Sequence, residues 1–140
     1  MNYFHDSAFQ AKDTVRAMQH KKLQELLQYL ALYSPFYREM FAKNSIDIST
    51  VNTVADLQRF PVTVKEDLQQ RNYEFLCVSR DKIIEYSSTS GTLGSPVTIA
   101  LTENDLERLA FNEYSSFICA DGSDKDIYQL MLTLDRQFMA

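Results

Sequence analysis

The spacing of apolar residues changes near residue 80, and this change constrains the fold more than any other feature of the sequence. Before it, apolar side chains recur at steps of three and four residues, the period of an amphipathic helix. The clearest run predicts a long helix over residues 13–33 and contains Val15, Met18, Leu23, Leu26, Leu27, Leu30 and Tyr33. Ser34 and Pro35 then suit the cap and the first position of a second helix.

Two shorter helices are predicted from the threonine-x-x-acid spacing of a capping box. Thr53 precedes Asp56 by three residues, and Thr63 precedes Glu66 in the same way. Between these pairs we expect Phe60 to be extended, because the residue before a proline is disfavoured in the helical region.

After residue 80 the pattern favours strands. Residues 82–86 and 96–101 are rich in β-branched and aromatic side chains, which fit a pleated surface. Thr102 is suited to cap a long helix, and residues 126–132 are typical of a third strand. We therefore predict the α/β class, with a helical N-terminal region over residues 1–80 and a partial α/β region over residues 81–140.

Composition narrows the choice of partners. The 140 residues carry a net charge of −5 and a pI of about 5.0, which argues against nucleic acid or an anionic membrane as the main partner. No apolar run approaches the roughly 20 residues needed to span a bilayer, and the first residues lack the regions of a signal peptide. We expect a cytoplasmic protein in which Cys77 and Cys119 are reduced and partly buried, with no metal site.

Residues 87–96 form a hydroxyl-rich loop in a chain that has only three glycines. Six of its ten residues are Ser or Thr, and Gly91 and Gly94 lie within it. Hydroxyls and free backbone N–H groups on such a turn can bind phosphate oxygens. They can equally satisfy the backbone of an ordinary connection between two strands. The loop fits neither the P-loop pattern nor the dinucleotide-binding pattern.

The loop resembles the phosphate loop of the adenylate-forming enzymes, which usually reads Thr-Ser-Gly-Thr-Thr-Gly-x-Pro; here residues 89–96 read Thr-Ser-Gly-Thr-Leu-Gly-Ser-Pro. Two upstream segments are similar to the phenylacetate–CoA ligase branch of that superfamily. They are Ser-Pro-Phe-Tyr-Arg at residues 34–38 and Phe-Pro-Val-Thr-Val-Lys-Glu-Asp-Leu at residues 60–68. The resemblance implies that the chain begins the sheet of the large N-terminal domain of such an enzyme.

The resemblance also implies a chemistry. In that family a carboxylic acid and ATP·Mg²⁺ give an acyl-adenylate and pyrophosphate, and the thiol of coenzyme A then forms a thioester. Ser90 and Thr92 would donate hydroxyl hydrogen bonds to the ATP phosphates, with Thr89 as a third donor, while Gly91 and Gly94 would let the backbone wrap them. Leu93 and Ser95 depart from the family pattern, because a threonine and often a lysine stand there. The family's magnesium-binding and catalytic residues would all lie beyond Ala140.

The sequence leaves two functions open. The first is the N-terminal part of an ATP-dependent acid–CoA ligase, inactive as this chain alone, whose acid substrate could be aromatic. The second is a non-catalytic helical interaction or dimerisation module in which the loop is only a turn. The sequence stops in an apolar stretch that reads as the front of something longer. We expect self-association, because a partial sheet leaves a strand edge and an apolar face uncovered.

Overall fold

A computed structural model describes residues 10–89, 91 and 95–129. The described residues form two compact units, residues 10–79 and residues 80–129. The first unit contains three α-helices: α1 (Lys12–Tyr33), α2 (Pro35–Lys43) and α3 (Lys65–Gln70). Short 3₁₀ segments separate or follow them at Ile48–Thr50, Val54–Arg59 and Asn72–Phe75. The second unit contains a 3₁₀ turn (Arg80–Lys82), two strands, β1 (Glu85–Ser88) and β2 (Thr98–Leu101), and α4 (Glu103–Cys119).

The core of the helical unit lies between α1, α2 and the 3₁₀ segments that follow them. Its buried residues are Leu23, Leu27, Phe41 and Val51. The ring of Phe60 meets that of Phe41 edge-on at 5.7 Å, and its extended backbone is as predicted from Pro61. Leu26 and Tyr33, predicted for the buried face of α1, are instead about half exposed. Leu26 follows Leu23 by three residues and lines the same apolar depression as Leu23 and Leu27, so it lies at the exposed edge of the buried face.

Local hydrogen bonds fix the helix starts. Ser34 caps α2 with its hydroxyl, which accepts from the Tyr37 N–H at 3.4 Å. The Asp56 carboxylate accepts from the Thr53 N–H at 2.8 Å, as the capping-box spacing predicts. The predicted Thr63–Glu66 pair is wrong by one residue. Helix α3 begins at Lys65, and the Asp67 carboxylate accepts from the Val64 N–H at 3.0 Å.

The two strands are antiparallel and pair from Glu85 opposite Leu101 to Ser88 opposite Thr98. The first strand was predicted at residues 82–86 but begins later, because the Ile83 N–H closes a 3₁₀ turn on the Arg80 carbonyl at 3.1 Å. The helical front followed by strands and a capped helix agrees with the predicted class. No third strand occurs over residues 126–129; residues 130–132 of that prediction lie outside the described part of the chain.

Candidate functional site

The hydroxyl loop connects the two strands of the hairpin. Because Ser88 faces Thr98 at the last paired position, Thr89 and Val97 stand at the two ends of the loop. Val97 is buried, so one end of the loop is anchored by an apolar side chain. The loop thus connects two strands, as expected from the sequence, and the structure adds that the two strands are antiparallel.

Two hydrogen bonds join Thr89 to Val97. The Thr89 N–H donates to the Val97 carbonyl at 3.0 Å. The Val97 N–H donates to the Thr89 hydroxyl oxygen, also at 3.0 Å. In a regular antiparallel ladder this second bond goes to the backbone carbonyl of the facing residue. A hydroxyl that accepts one hydrogen bond still carries its own proton and can donate it.

Gly91 has a φ of +65°. This value lies in the left-handed region, which L-residues with a side chain adopt at a cost and glycine adopts freely. A left-handed residue next to right-handed ones can turn successive N–H groups toward one anion. Of the other predicted phosphate contacts, Ser90, Thr92 and Gly94 lie outside the described residues.

Helix α4 follows β2 and is capped by Thr102. The Asp105 carboxylate accepts from the Thr102 N–H at 3.0 Å and from its hydroxyl at 2.8 Å, which confirms the predicted cap. The helix has no buried residue. Beyond it, the Tyr128 ring meets the Phe117 ring at 4.9 Å, and the Tyr128 hydroxyl donates to the Ser123 carbonyl at 3.0 Å. These contacts curl residues 121–128 back onto α4 and explain why a strand is absent there.

An apolar groove of about 850 Å³ lies between α4 and this returning segment. Its walls are mostly aromatic and aliphatic, with two carboxylates: Ala110, Glu113, Tyr114, Phe117, Ile118, Gly122, Asp124 and Tyr128. Gly122 is needed there for space, because a Cβ at this position would stand 2.8 Å from the Phe117 carbonyl oxygen and 2.8 Å from the Tyr128 hydroxyl. Sequence analysis did not identify this groove, which depends on how residues 121–128 fold back.

The helical unit contains an ion cluster that sequence analysis also missed. The Arg71 guanidinium pairs with the carboxylates of Glu74 and Glu39 and lies 4.9 Å from the centre of the Phe36 ring. Hydrogen bonds from Lys43 and Arg71 hold the pKa of the Glu39 carboxyl below its ordinary value. The bond from Arg71 does the same for the pKa of Glu74. The sequence carries two local signals of this cluster, the Arg71–Glu74 spacing of three residues and the Glu39–Lys43 spacing of four.

The buried hydroxyl of Ser34 ties the same region together. It donates to the Glu74 carbonyl at 3.0 Å while capping α2, and its residue is fully buried. The rings of Phe36 and Phe75 stack on each other, with their centres 3.9 Å apart. The cluster thus joins α2 to the segment after α3, and its charges are paired with one another. We assign it a structural role.

Both cysteines are free thiols. Cys77 is partly buried, as predicted, and burial raises the pKa of its thiol. Cys119 is exposed rather than partly buried, because it ends α4, a helix that buries none of its residues. Within residues 10–89, 91 and 95–129, no three acidic, His or Cys side chains are grouped to hold a metal ion. In the same part of the chain, no helix is both long and apolar enough to cross a membrane.

Comparison with known proteins finds several coenzyme A ligases among the proteins similar to this chain. No protein-family profile matches the chain. The phenylacetate–coenzyme A ligase of Escherichia coli is 31% identical over 116 residues, which are 81% of this chain and 26% of that enzyme. The enzyme of the same name from Thermus thermophilus is 33% identical over 101 residues, covering 71% of this chain and 22% of the relative. The chain therefore spans about a quarter of the length of these relatives.

The fold agrees with the sequence comparison. A crystal structure of 2-hydroxyisobutyryl-CoA ligase, in complex with 2-HIB-AMP and CoA, superposes with a TM-score of 0.67 at 24% identity, covering 77% of this chain and 24% of the ligase. At that identity the match speaks for the fold alone. Together, the matches show that the chain is similar to phenylacetate–coenzyme A ligases over about a quarter of their length and that it has the fold of the matching part of a coenzyme A ligase.

Proposed function

We propose that this chain forms the N-terminal part of an ATP-dependent acid–CoA ligase and that its loop at residues 87–96 binds the phosphates of ATP. The observation that carries the proposal is the loop itself. A sequence similar to the family's phosphate loop connects two antiparallel strands, and its first glycine, Gly91, has a left-handed backbone that favours glycine.

The donor set suits a polyphosphate. Residues 87–96 contain hydroxyls and backbone N–H groups and no acidic side chain that would repel an anion. We assign the phosphate contacts to the hydroxyls of Ser90 and Thr92 and to the backbone at Gly91 and Gly94. The Thr89 hydroxyl, the third donor that the resemblance implies, already accepts a hydrogen bond from the Val97 N–H. Donors of this kind stabilise negative charge that develops on a departing phosphate group. Leu93 and Ser95 supply no cation, so we expect the loop alone to hold ATP weakly.

The carboxylic acid would react with ATP to give an acyl-adenylate and pyrophosphate. The thiol of coenzyme A would then displace AMP from the adenylate and form the thioester. Mg²⁺ would accompany the ATP phosphates. The names of the relatives support an acid as substrate and coenzyme A as acceptor, and aromatic acids are the first to be tested. Catalytic residues are assigned to parts of such an enzyme that this chain does not contain.

One experiment tests both the binding and the inactivity. The chain is titrated with ATP and Mg²⁺ by NMR, and pyrophosphate release is followed with coenzyme A and a panel of aromatic and short branched acids. We expect weak ATP binding and no pyrophosphate above the blank. The double variant Ser90→Ala, Thr92→Ala should weaken ATP binding at least tenfold, because each hydrogen bond to a charged group contributes about 1.5–3 kcal/mol.

The matched control is Ser116→Ala, which removes a hydroxyl from α4 that donates to the Asn112 carbonyl. It should leave ATP binding unchanged. If the loop variant binds ATP as well as the unmodified chain, the loop is not a phosphate site. Pyrophosphate release well above the blank would contradict the proposed inactivity.

The alternative, a non-catalytic interaction or dimerisation module, has one observation in its favour. The Thr89 hydroxyl accepts a hydrogen bond from the backbone N–H of Val97, the residue that follows the loop, as it would in a purely structural turn. The exposed apolar side chains Tyr114, Phe117 and Ile118 on α4 would supply the contact. We propose self-association through this face, and light scattering should show a dimer whose population falls in Phe117→Ser. A monomer at millimolar concentration would refute it.

A further inference from the structure

We infer that Thr89 is a positioning residue that sets the geometry of the phosphate loop through the Val97 N–H. The inference rests on the proposed function of the loop and refines it. It assigns to the first hydroxyl of the motif a task different from that of Ser90 and Thr92. Thr89 fixes where the chain leaves the sheet, and the following residues do the binding.

The ladder geometry carries the argument. Thr89 faces Val97, one position beyond the last strand pair of Ser88 and Thr98. Its N–H makes the bond to the Val97 carbonyl that a regular ladder requires, at 3.0 Å. The return bond from the Val97 N–H goes to the Thr89 side chain instead of its carbonyl. The hydroxyl therefore substitutes for the backbone acceptor and leaves the Thr89 carbonyl out of this bond.

This substitution has a consequence for the loop. If the Thr89 carbonyl accepted the bond, residue 89 would continue β1 and the turn would start later. With the hydroxyl in its place, the chain departs from the sheet at Thr89 and reaches the left-handed backbone of Gly91 two residues on. At the C-terminal end of the loop, the side chain of Val97 is buried and anchors the backbone. A side chain without an acceptor at residue 89 leaves the Val97 N–H to recapture the carbonyl or to lose its bond.

The hydroxyl is the group that matters, so the test compares Thr89→Val, which keeps the shape and removes the acceptor, with Thr89→Ser, which keeps the acceptor. Amide hydrogen exchange at Val97 and the amide shifts of Gly91 and Gly94 are measured without nucleotide, and ATP·Mg²⁺ affinity is measured by titration. Thr14→Val, an exposed position of α1, is the matched control.

We expect Thr89→Val to speed exchange at Val97 at least tenfold, to move the Gly91 and Gly94 amide shifts before nucleotide is added, and to weaken ATP binding fivefold or more. Thr89→Ser should restore all three. Faster exchange at Val97 with ATP affinity within twofold of the unmodified chain overturns the positioning role and leaves the phosphate site standing. An unmodified chain with a protected Val97 amide and no ATP-dependent shifts overturns the proposed function, and the positioning role with it.

Discussion

The two units of this chain differ in how much apolar surface they bury. The helical unit, residues 10–79, encloses Leu23, Leu27, Phe41 and Val51 in one cluster. In the hairpin–helix unit, Val97 is the one buried apolar side chain among the described residues 80–89, 91 and 95–129. Its helix α4 buries none, and large apolar side chains such as Ile127 and Phe117 remain exposed.

Most helical stability in proteins comes from tertiary packing of an apolar face rather than from helix propensity. The helical unit meets that requirement from its own residues. The hairpin–helix unit, which carries the candidate site, meets it only in part, so we expect its hydrogen-bonded caps and turns to contribute an unusually large share of its order. The difference predicts a higher free energy of local unfolding in the helical unit than in the hairpin–helix unit.

The largest effect should come from the core of the helical unit. Leu27→Ala removes a side chain that is 3% exposed and should lower the free energy of unfolding by about 2–5 kcal/mol, because it leaves a cavity. Leu32→Ala, on the same helix but 65% exposed, should cost well under about 1 kcal/mol. Urea unfolding followed by circular dichroism measures both. Equal losses would break the comparison, since α1 would then have no distinct buried face.

A middle-sized effect is expected at the turn after α4. Gly122→Ala places a methyl group against the Phe117 carbonyl and the Tyr128 hydroxyl, and overpacking of this kind costs about 1–3 kcal/mol. Because Tyr128 must move, the bond to the Ser123 carbonyl should be lost. Amide exchange in the last turn of α4 should accelerate while α1 is unaffected.

Ser116→Ala, a neighbouring exposed position on α4, serves as the control for Gly122→Ala and should change exchange little. If Gly122→Ala speeds amide hydrogen exchange equally in both units, the units do not unfold separately. That result would argue against the contrast drawn above.

The smallest effect concerns pH and the helical unit. The pKa values of Glu39 and Glu74 are lowered on folding, chiefly by hydrogen bonds from Lys43 and Arg71 respectively. Their stabilisation is therefore complete above the ordinary carboxyl pKa of 4.5 and is lost as the pH falls through the lower, folded values. The urea concentration at which the helical unit is half unfolded should decrease as the pH is lowered below 4.5. This decrease should be less steep in Arg71→Gln. A parallel decline in both proteins would exclude Arg71 as the cause.

The sequence predicted helix starts well because capping is local. Three aspartates at helix starts, Asp56, Asp67 and Asp105, each accept a hydrogen bond from the N–H three residues earlier. Asp126 makes the same bond to Ser123 in a turn. The prediction at Thr63 was wrong because it took the threonine as the cap. In the structure the Asp67 carboxylate accepts from the Val64 N–H, so Val64 is the cap and α3 begins at Lys65. A hydroxyl at the cap is thus less informative in this chain than an aspartate three residues on.

Features that depend on distant partners were less predictable. Residues 126–129 have strand-like composition, yet the Asp126 carboxylate and the Tyr128 ring make contacts with Ser123 and Phe117 that no strand pattern reveals. The loop at residues 87–96 was located from its composition and motif. The bond between the Thr89 hydroxyl and the Val97 N–H was not, because it requires the strand register as well as the residue types.

The unequal exposure of the two thiols makes the chain easy to label at one place. Cys119 is exposed on α4, while Cys77 is partly buried, donates its thiol toward the Phe75 carbonyl at 3.6 Å, and is less ionised because burial raises its pKa. Since the thiolate is the reactive form, a maleimide dye added near neutral pH should attach first to Cys119. The hairpin–helix unit thus carries an attachment point for a fluorescent reporter, and no cysteine needs to be introduced for the labelling.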